Sequence, residues 1–165
     1  MSLTRWWKHL AATPLGTRRR FPRHVLQAIE KVITTVEAQH AGEIRFVIET
    51  SLDFAALRAA RSPRERAIEL FGQLGVWDTE NNNGVLIYLL MAEHDVEIIA
   101  DRGIAARVTP TEWEALCRLM EAHFREGRFR EGAIAGVEGV GALLARHFPH
   151  HGGDRNEQPN RPVLL

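Results

Sequence analysis

The fold is decided by an unbroken apolar run, VLIYLLM, at positions 85–91, and by a second apolar segment, VEIIA, at positions 96–100. An apolar run without alternation is typical of a strand that is covered on both faces, so the first run predicts the centre of a sheet. The second segment follows after a short polar turn, which predicts an antiparallel hairpin. We therefore expect a central strand at 84–91 and a returning strand at 95–101.

A third strand is predicted upstream, over residues 43–51. This segment is rich in β-branched and aromatic residues, and its apolar residues alternate with charged ones. The sequence Ser62-Pro63-Arg64-Glu65 predicts a capped helix between this strand and the central one, so the two strands are expected to be parallel. The predicted fold class is α/β, a three-layer sandwich in which a small mixed sheet carries helices on both faces.

Apolar residues at helical spacing predict three longer helices, one after Pro22, one after Thr109 and one over about 129–147. The single cysteine, Cys117, lies on the apolar stripe of the second of these helices. One cysteine forms neither an intramolecular disulfide nor a thiolate metal site. We therefore expect Cys117 to be a small residue of the core.

The composition is that of an ordinary globular domain, with 165 residues of which 45% are hydrophobic and 25% charged. Basic and acidic residues balance at 21 each, which argues against a nucleic-acid partner. The sequence has neither a membrane-spanning apolar run nor a secretory signal, so we expect a cytoplasmic protein that is at most peripheral to a membrane. We predict a basic, helical N-terminal segment over 1–21, an α/β domain over 22–148 and a disordered tail over 149–165.

The first 23 residues contain six lysine or arginine residues and no acid. Apolar residues recur there at roughly helical spacing, at Leu3, Trp6, Trp7 and Leu10. One interpretation is an amphipathic helix over residues 1–20 that lies on an anionic membrane surface or on a partner protein. The other is a helix packed on its own domain, with Arg18, Arg19 and Arg20 in a solvated connection.

Polar residues gather where the predicted strands begin or end. Glu43 begins the first strand, an oxygen-rich loop at 78–83 precedes the central strand, and Asp101 follows the returning strand. The predicted pairing places these ends at one edge of the sheet, and carboxylate and amide oxygens suit a Ca²⁺ ion. Alternatively, the loop is a turn that satisfies its own backbone groups, and Arg102 neutralises the acids. The candidate metal ligands are Glu43, Asp78, Asn82, Asn83 and Asp101.

Three stretches, LGVWDTE at 74–80, NGVLIYLL at 83–90 and VEIIADRGI at 96–104, resemble the TPM domain. The resemblance covers about residues 22–148 and implies an α/β sandwich. It also implies a calcium site in some members, acid phosphatase activity in plant members, and a membrane anchor in many bacterial ones. Here Asn82 stands where many relatives have aspartate, and Asp101-Arg102-Gly103 stands where many have Gly-Tyr-Gly, so a carboxylate is lost from one loop and gained in its neighbour.

Two functions follow from these observations. The first is an adaptor or modulator of membrane-protein assembly or maintenance, which binds calcium and has a membrane protein or a related anchored TPM-like protein as its partner. The second is a metal-assisted acid phosphatase, in which Asp78 or Asp101 orients water and Arg102 neutralises the phosphate. No nucleotide-binding loop, nucleophile elbow or paired-histidine motif is present, which favours the adaptor and predicts no organic cofactor.

Overall fold

The computed structural model describes residues 3–150 and 156–165, which form eight helices and four strands. The helices are α1 (Leu3–Ala11), α2 (Pro14–Arg20), α3 (Arg23–Glu37), α4 (Phe54–Arg58), α5 (Pro63–Gln73), α6 (Arg102–Ala105), α7 (Pro110–Arg125) and α8 (Phe129–His147). The strands are β1 (Glu43–Glu49), β2 (Gly84–Leu90), β3 (Asp95–Ala100) and β4 (Val163–Leu164). Among the helices of these described ranges, none combines the length and apolar character needed to cross a membrane.

The strands form one mixed sheet in the order β3-β2-β1-β4. β1 and β2 are parallel, with Glu43 opposite Gly84, and β2 and β3 are antiparallel. Both pairings confirm the sequence-based prediction. β2 therefore lies between two strands, β1 and β3, in agreement with the predicted centre of the sheet.

Alternate residues of β2 enter two separate cores. Val85, Ile87 and Leu89 pack on one face of the sheet, which α3, α7 and α8 cover. Leu86, Tyr88 and Leu90 pack on the other face with residues of α4 and α5. The predicted α/β sandwich with helices on both faces is confirmed, and every residue of β2 is buried.

The helix starts follow local capping rules. Ser62 begins α5 and Thr109 begins α7, each through a capping box with proline at the first helical turn. Two short helices were not predicted, α4 and α6, and each begins at an aspartate whose carboxylate accepts a main-chain hydrogen bond, Asp53 and Asp101. Helices of five and four residues are too short to show an apolar period.

One face of α1 is attached to the domain. The Trp6 ring meets the Phe54 ring edge-on, with centroids 5.2 Å apart. The buried His9 bonds through Nε2 to the Glu93 carboxylate at 2.8 Å and accepts the Leu52 amide at Nδ1. The second interpretation of the N-terminal segment, packing on its own domain, therefore describes this inner face.

The prediction of a disordered tail over 149–165 is wrong for residues 156–165. Val163–Leu164 pair in parallel with β1, and the Leu165 amide donates to the carbonyl of Ile48 at 2.9 Å. The polar, proline-containing sequence is typical of disorder, but the open edge of β1 supplies the hydrogen-bond partners that the tail lacks. The part of the prediction that concerns residues 151–155 lies outside the described residues.

The close approach of two segments at Gly84 gives a stability prediction. A Cβ atom at this position would lie inside the van der Waals radius of the Val76 carbonyl oxygen, whereas one at Gly72 on α5 would meet nothing within 4 Å. We expect Gly84→Ala to lower the free energy of unfolding by about 2 kcal/mol, because backbone must move. Gly72→Ala should raise it by up to about 1 kcal/mol through helix propensity. Urea unfolding followed by circular dichroism measures both, and equal stability of the two variants would contradict the packing described.

Candidate functional site

The structure brings three distant segments together around Gly84. The Glu43 amide donates to the carbonyl of Asn83 at 3.4 Å, and the Asp101 amide donates to the carbonyl of Gly84 at 2.9 Å. The start of β1, the loop before β2 and the end of β3 therefore share one edge of the sheet. This is the juxtaposition that the sequence predicted from strand pairing.

Glu43 is used by the tail. Its side chain is buried, with 4% of the residue exposed, and its two carboxylate oxygens accept the amides of Glu157 at 3.0 Å and Gln158 at 3.3 Å. The Gln158 side chain continues to the carbonyl of Gly75 at 2.9 Å. The predicted metal ligand thus serves as an anion that binds two successive main-chain amides.

Arg45 holds the next part of the same tail. Its guanidinium donates to the carbonyls of Pro159 and Arg161, and burial lowers the pKa of Arg45 below its ordinary value. A carboxylate therefore binds the amides of the tail and a guanidinium binds its carbonyls. Both side chains come from β1, two residues apart, so they point to the same face of the sheet.

The loop at 78–83 is a turn in which some polar groups are hydrogen-bonded within the loop and others bond to neighbouring segments. The Asn83 amide donates to Thr79 Oγ1 at 3.1 Å, and its side-chain amide donates to the carbonyl of Ala41 at 2.8 Å. Asn82 adopts a left-handed conformation, with φ at 51°, and its Oδ1 accepts Arg102 Nε at 3.0 Å. Asp78 lies on the exposed side of this turn.

Asp101 and Asn83 keep oxygens that the described chain does not use. Asp101 Oδ1 accepts the Arg102 amide at 2.7 Å and so caps α6. Asp101 Oδ2 and Asn83 Oδ1 are buried without a hydrogen-bond partner among the described residues. Of the five candidate ligands, these two have a buried oxygen without a partner among the described residues, whereas Glu43 and Asn82 hydrogen-bond to other groups.

No group of three or more histidine, cysteine, aspartate or glutamate side chains in residues 3–150 and 156–165 is arranged to hold a metal ion. A Ca²⁺ ion requires six to eight oxygens. Carbonyl oxygens and water would have to complete the coordination of an ion bound by Asp101 and Asn83. Calcium binding stays a prediction.

Two titratable residues beside Glu43 were missed by the sequence reasoning. Glu37, the last residue of α3, accepts the Ile44 amide at 2.8 Å, and burial, with a smaller effect of the charge on Glu43, raises the pKa of Glu37 to about 8. His40 accepts the Gly42 amide at 3.1 Å, and burial lowers the pKa of His40 to about 4. The sequence signal that could have identified Glu37 was its position at the end of a predicted helix, where a negative charge interacts unfavourably with the helix dipole.

The sequence and fold were compared with known proteins. A family model described as the TPM domain matches residues 21–143. The NMR structure of the BA42 protein from the psychrophilic bacterium Bizionia argentinensis has a TM-score of 0.76 and 29% identity, over 86% of this chain and 93% of that one. The N-terminal domain of a protein from P. gingivalis has a TM-score of 0.56 and 26% identity, over 73% and 76% of the two chains. No curated protein matches.

A third solved structure, the N-terminal domain of the cg2496 protein from Corynebacterium glutamicum, is similar in fold. Its TM-score is 0.53 at 16% identity, over 81% of this chain and 83% of that one. At this identity the likeness concerns the fold alone.

The raised pKa of Glu37 predicts a pH dependence of stability. The folded state holds the proton up to about pH 8, whereas an unfolded glutamate loses it near 4.5. Stability from this group is therefore complete below pH 4.5 and lost as the pH rises to about 8. We expect the melting temperature to fall between pH 6.5 and 8, where the lowered pKa of His40 no longer has an opposing effect.

Glu37→Gln should flatten this fall, because the amide has no proton to lose. The matched control is Glu138→Gln on the exposed side of α8, which should keep the wild-type pH profile. Thermal melts at pH 6.5, 7.2 and 8 make the comparison. An unchanged profile in Glu37→Gln would show that Glu37 titrates normally in the folded protein.

Proposed function

The chain belongs to the TPM domain family, and from this premise we propose that it is a binding domain at an anionic membrane surface, where it acts as an adaptor or modulator of membrane-protein assembly or maintenance. Its partner is a membrane protein or a related anchored TPM-like protein. The observation that carries the proposal is the outer face of α1. This face is apolar, exposed and flanked by basic residues.

The outer face of α1 consists of Leu3, Trp7 and Leu10, which are 78%, 70% and 68% exposed. They follow one another at the i, i+4 and i+7 spacing of a single helical stripe. Leu15 on α2 is a further exposed apolar residue of this segment, at 60%. Because Trp6 and His9 attach the other face of α1 to the domain, the stripe points toward solvent.

Positive charge is concentrated in the same segment of the chain. Lys8 and the run Arg18, Arg19 and Arg20 are exposed, and no acid occurs in residues 1–23. Helices that combine an apolar face containing tryptophan with neighbouring basic residues lie in the lipid interface. Each basic residue near an anionic leaflet contributes about 1 kcal/mol of attraction.

The phosphatase alternative has less support from the geometry. The Arg102 guanidinium, which was expected to neutralise phosphate, is bonded to Asn82, and Asp101, one of the two carboxylates expected to orient water, caps α6 through Oδ1. Asp78 lies exposed on the neighbouring turn. A binding function requires none of these side chains to be free.

Calcium binding is a second candidate property, favoured by the two buried, unpartnered oxygens of Asp101 and Asn83. The ion would neutralise the carboxylate and tie the loop before β2 to the end of β3. Its role would be to fix this edge of the sheet.

We expect the protein to sediment with vesicles that contain phosphatidylserine and to remain in solution with neutral phosphatidylcholine vesicles. Trp7→Ala combined with Leu10→Ala should reduce the bound fraction at least about tenfold, since both side chains bury apolar area in the interface. Trp77→Ala combined with Ile68→Ala is the matched control, because both residues are more than half exposed but lie on other elements. Binding should weaken steeply between 50 and 300 mM salt, because salt screens the attraction between exposed basic residues and anionic lipid.

Equal binding to neutral vesicles, or equal loss in the control variant, would contradict the proposed surface.

Calcium at millimolar concentration is expected to raise the melting temperature of chelator-treated protein, because a ligand of the folded state stabilises it by mass action. Asp101→Asn should abolish this shift. Asp53→Asn is the matched control, because Asp53 caps the short helix α4 as Asp101 caps α6. A shift that persists in Asp101→Asn would place the ion elsewhere.

The same preparations test the alternative function. Hydrolysis of p-nitrophenyl phosphate that falls in Asp101→Asn and Arg102→Ala, but not in Asp53→Asn, would replace the adaptor proposal by the phosphatase.

A further inference from the structure

β3 is an edge strand whose outer hydrogen-bonding groups face away from the sheet. The Asp101 amide bonds to Gly84, which sets the phase of the antiparallel ladder between β2 and β3. In this phase the amides and carbonyls of Val96, Ile98 and Ala100 point outward, because these residues form the non-hydrogen-bonded pairs. At the opposite edge of the sheet, Val47 and Ile48 of β1 are paired with the tail.

Side chains of α7 approach two of these outward amides. The Val96 amide reaches Glu121 Oε1 at 3.4 Å, a long hydrogen bond, and the Ile98 amide lies beside the sulfur of Cys117. An open groove of about 630 Å³ runs along the whole strand between α7 and the start of α5. Trp113 on α7 forms part of its wall. We call this feature the β3 groove.

The β3 groove is acidic. It contains four carboxylates and two arginines, namely Asp95, Glu97, Glu114, Glu121, Arg64 and Arg118. These arginines pair with Glu97 and Glu114, and Glu121 pairs with Arg125 of α7 at 2.9 Å, so Asp95 is the carboxylate of the lining for which the described residues give no ion pair. Asp95 Oδ1 is buried with no hydrogen-bond partner among the described residues, and burial, reinforced by Glu97 and Glu121, raises the pKa of Asp95 to about 6. A cation in the groove would relieve this repulsion.

We propose that the β3 groove binds an extended, basic segment of a partner protein as an added strand of the sheet. The inference rests on the adaptor function proposed above and names the chemistry of its partner. The main chain of the segment pairs with Ile98 and Ala100 and displaces the Cys117 sulfur from the Ile98 amide. Its apolar side chains contact Trp113, and its lysine or arginine side chains meet Asp95 and compete with Arg125 for Glu121. β-strand addition is already realised at the other edge, where the tail pairs with β1.

A second copy of the chain is a poorer occupant. Pairing β3 with β3 of another copy would bring two sets of Asp95 and Glu97 carboxylates together, and like charges across a strand pair are destabilising. Charge complementarity therefore favours a basic segment.

The test uses fluorescence anisotropy of a labelled eight-residue peptide of alternating lysine and valine, with no lipid present. We expect saturable binding that the glutamate-valine peptide does not show. Two further peptides are N-methylated at alternate residues, one in each frame. The peptide whose methylated amides face β3 should not bind, whereas the other should still bind. The double variant Asp95→Asn and Glu121→Gln should weaken binding about tenfold, whereas Glu126→Gln with Glu131→Gln, both exposed and outside the groove, should change it less than about twofold.

Hydrogen exchange on the wild-type protein keeps the test valid if a variant fails to fold. Added peptide should slow exchange of the Ile98 and Ala100 amides. Peptide binding with unchanged exchange at both amides would overturn strand addition, and equal binding of the acidic peptide would overturn the basic partner. A dimer that forms through β3 in the absence of peptide would replace the partner by a second copy. Loss of vesicle binding by the Trp7 and Leu10 variant leaves this lipid-free assay unchanged, so the two proposals fail separately.

Discussion

β1 carries three charged side chains into the interior, and the arrangement of the sheet depends on how each is satisfied. Glu43, Arg45 and Glu49 are each at most 9% exposed. Burying an unpaired charge costs several kcal/mol, so every one of them requires partners. Glu49 accepts a bidentate pair of hydrogen bonds from Arg66 and one from the Tyr88 hydroxyl at 2.6 Å. Glu43 and Arg45 hydrogen-bond to the main chain of the tail, which explains why this polar segment is held against β1.

This constraint makes the two edges of the sheet different. The β1 edge is closed by the chain itself, and the acidic β3 edge is left open beside α7. The apolar stripe of α1 faces outward because His9 and Trp6 fix its other side. A domain of this kind presents two separate surfaces, one basic and apolar, the other acidic and strand-like. Such a division suits a protein that contacts lipid and a protein partner together.

Local sequence patterns were sufficient for most of the fold. The apolar run at 85–91 and the capping boxes at Ser62 and Thr109 involve residues within a few positions of one another, so their meaning is visible without the structure. The meeting of strand ends followed from connectivity. The use of Glu43 could not be predicted, because its partners are main-chain amides 114 residues away and leave no mark on side-chain patterns. The short helix α6, which Asp101 caps, could not be predicted either, because four residues are too few to show an apolar period.

The position of β4 in the chain also bears on how the protein folds. The bonds that Glu43 and Arg45 make to the tail span 114 to 116 residues, so they close long loops. Closing such loops is entropically costly until the intervening chain is compact. The side chains of Glu43 and Arg45 therefore remain hydrated at an open edge of the sheet until the rest of the sheet has formed. We expect the tail to dock in a late kinetic step, and during that interval the nascent protein has two unprotected edges through which it can aggregate.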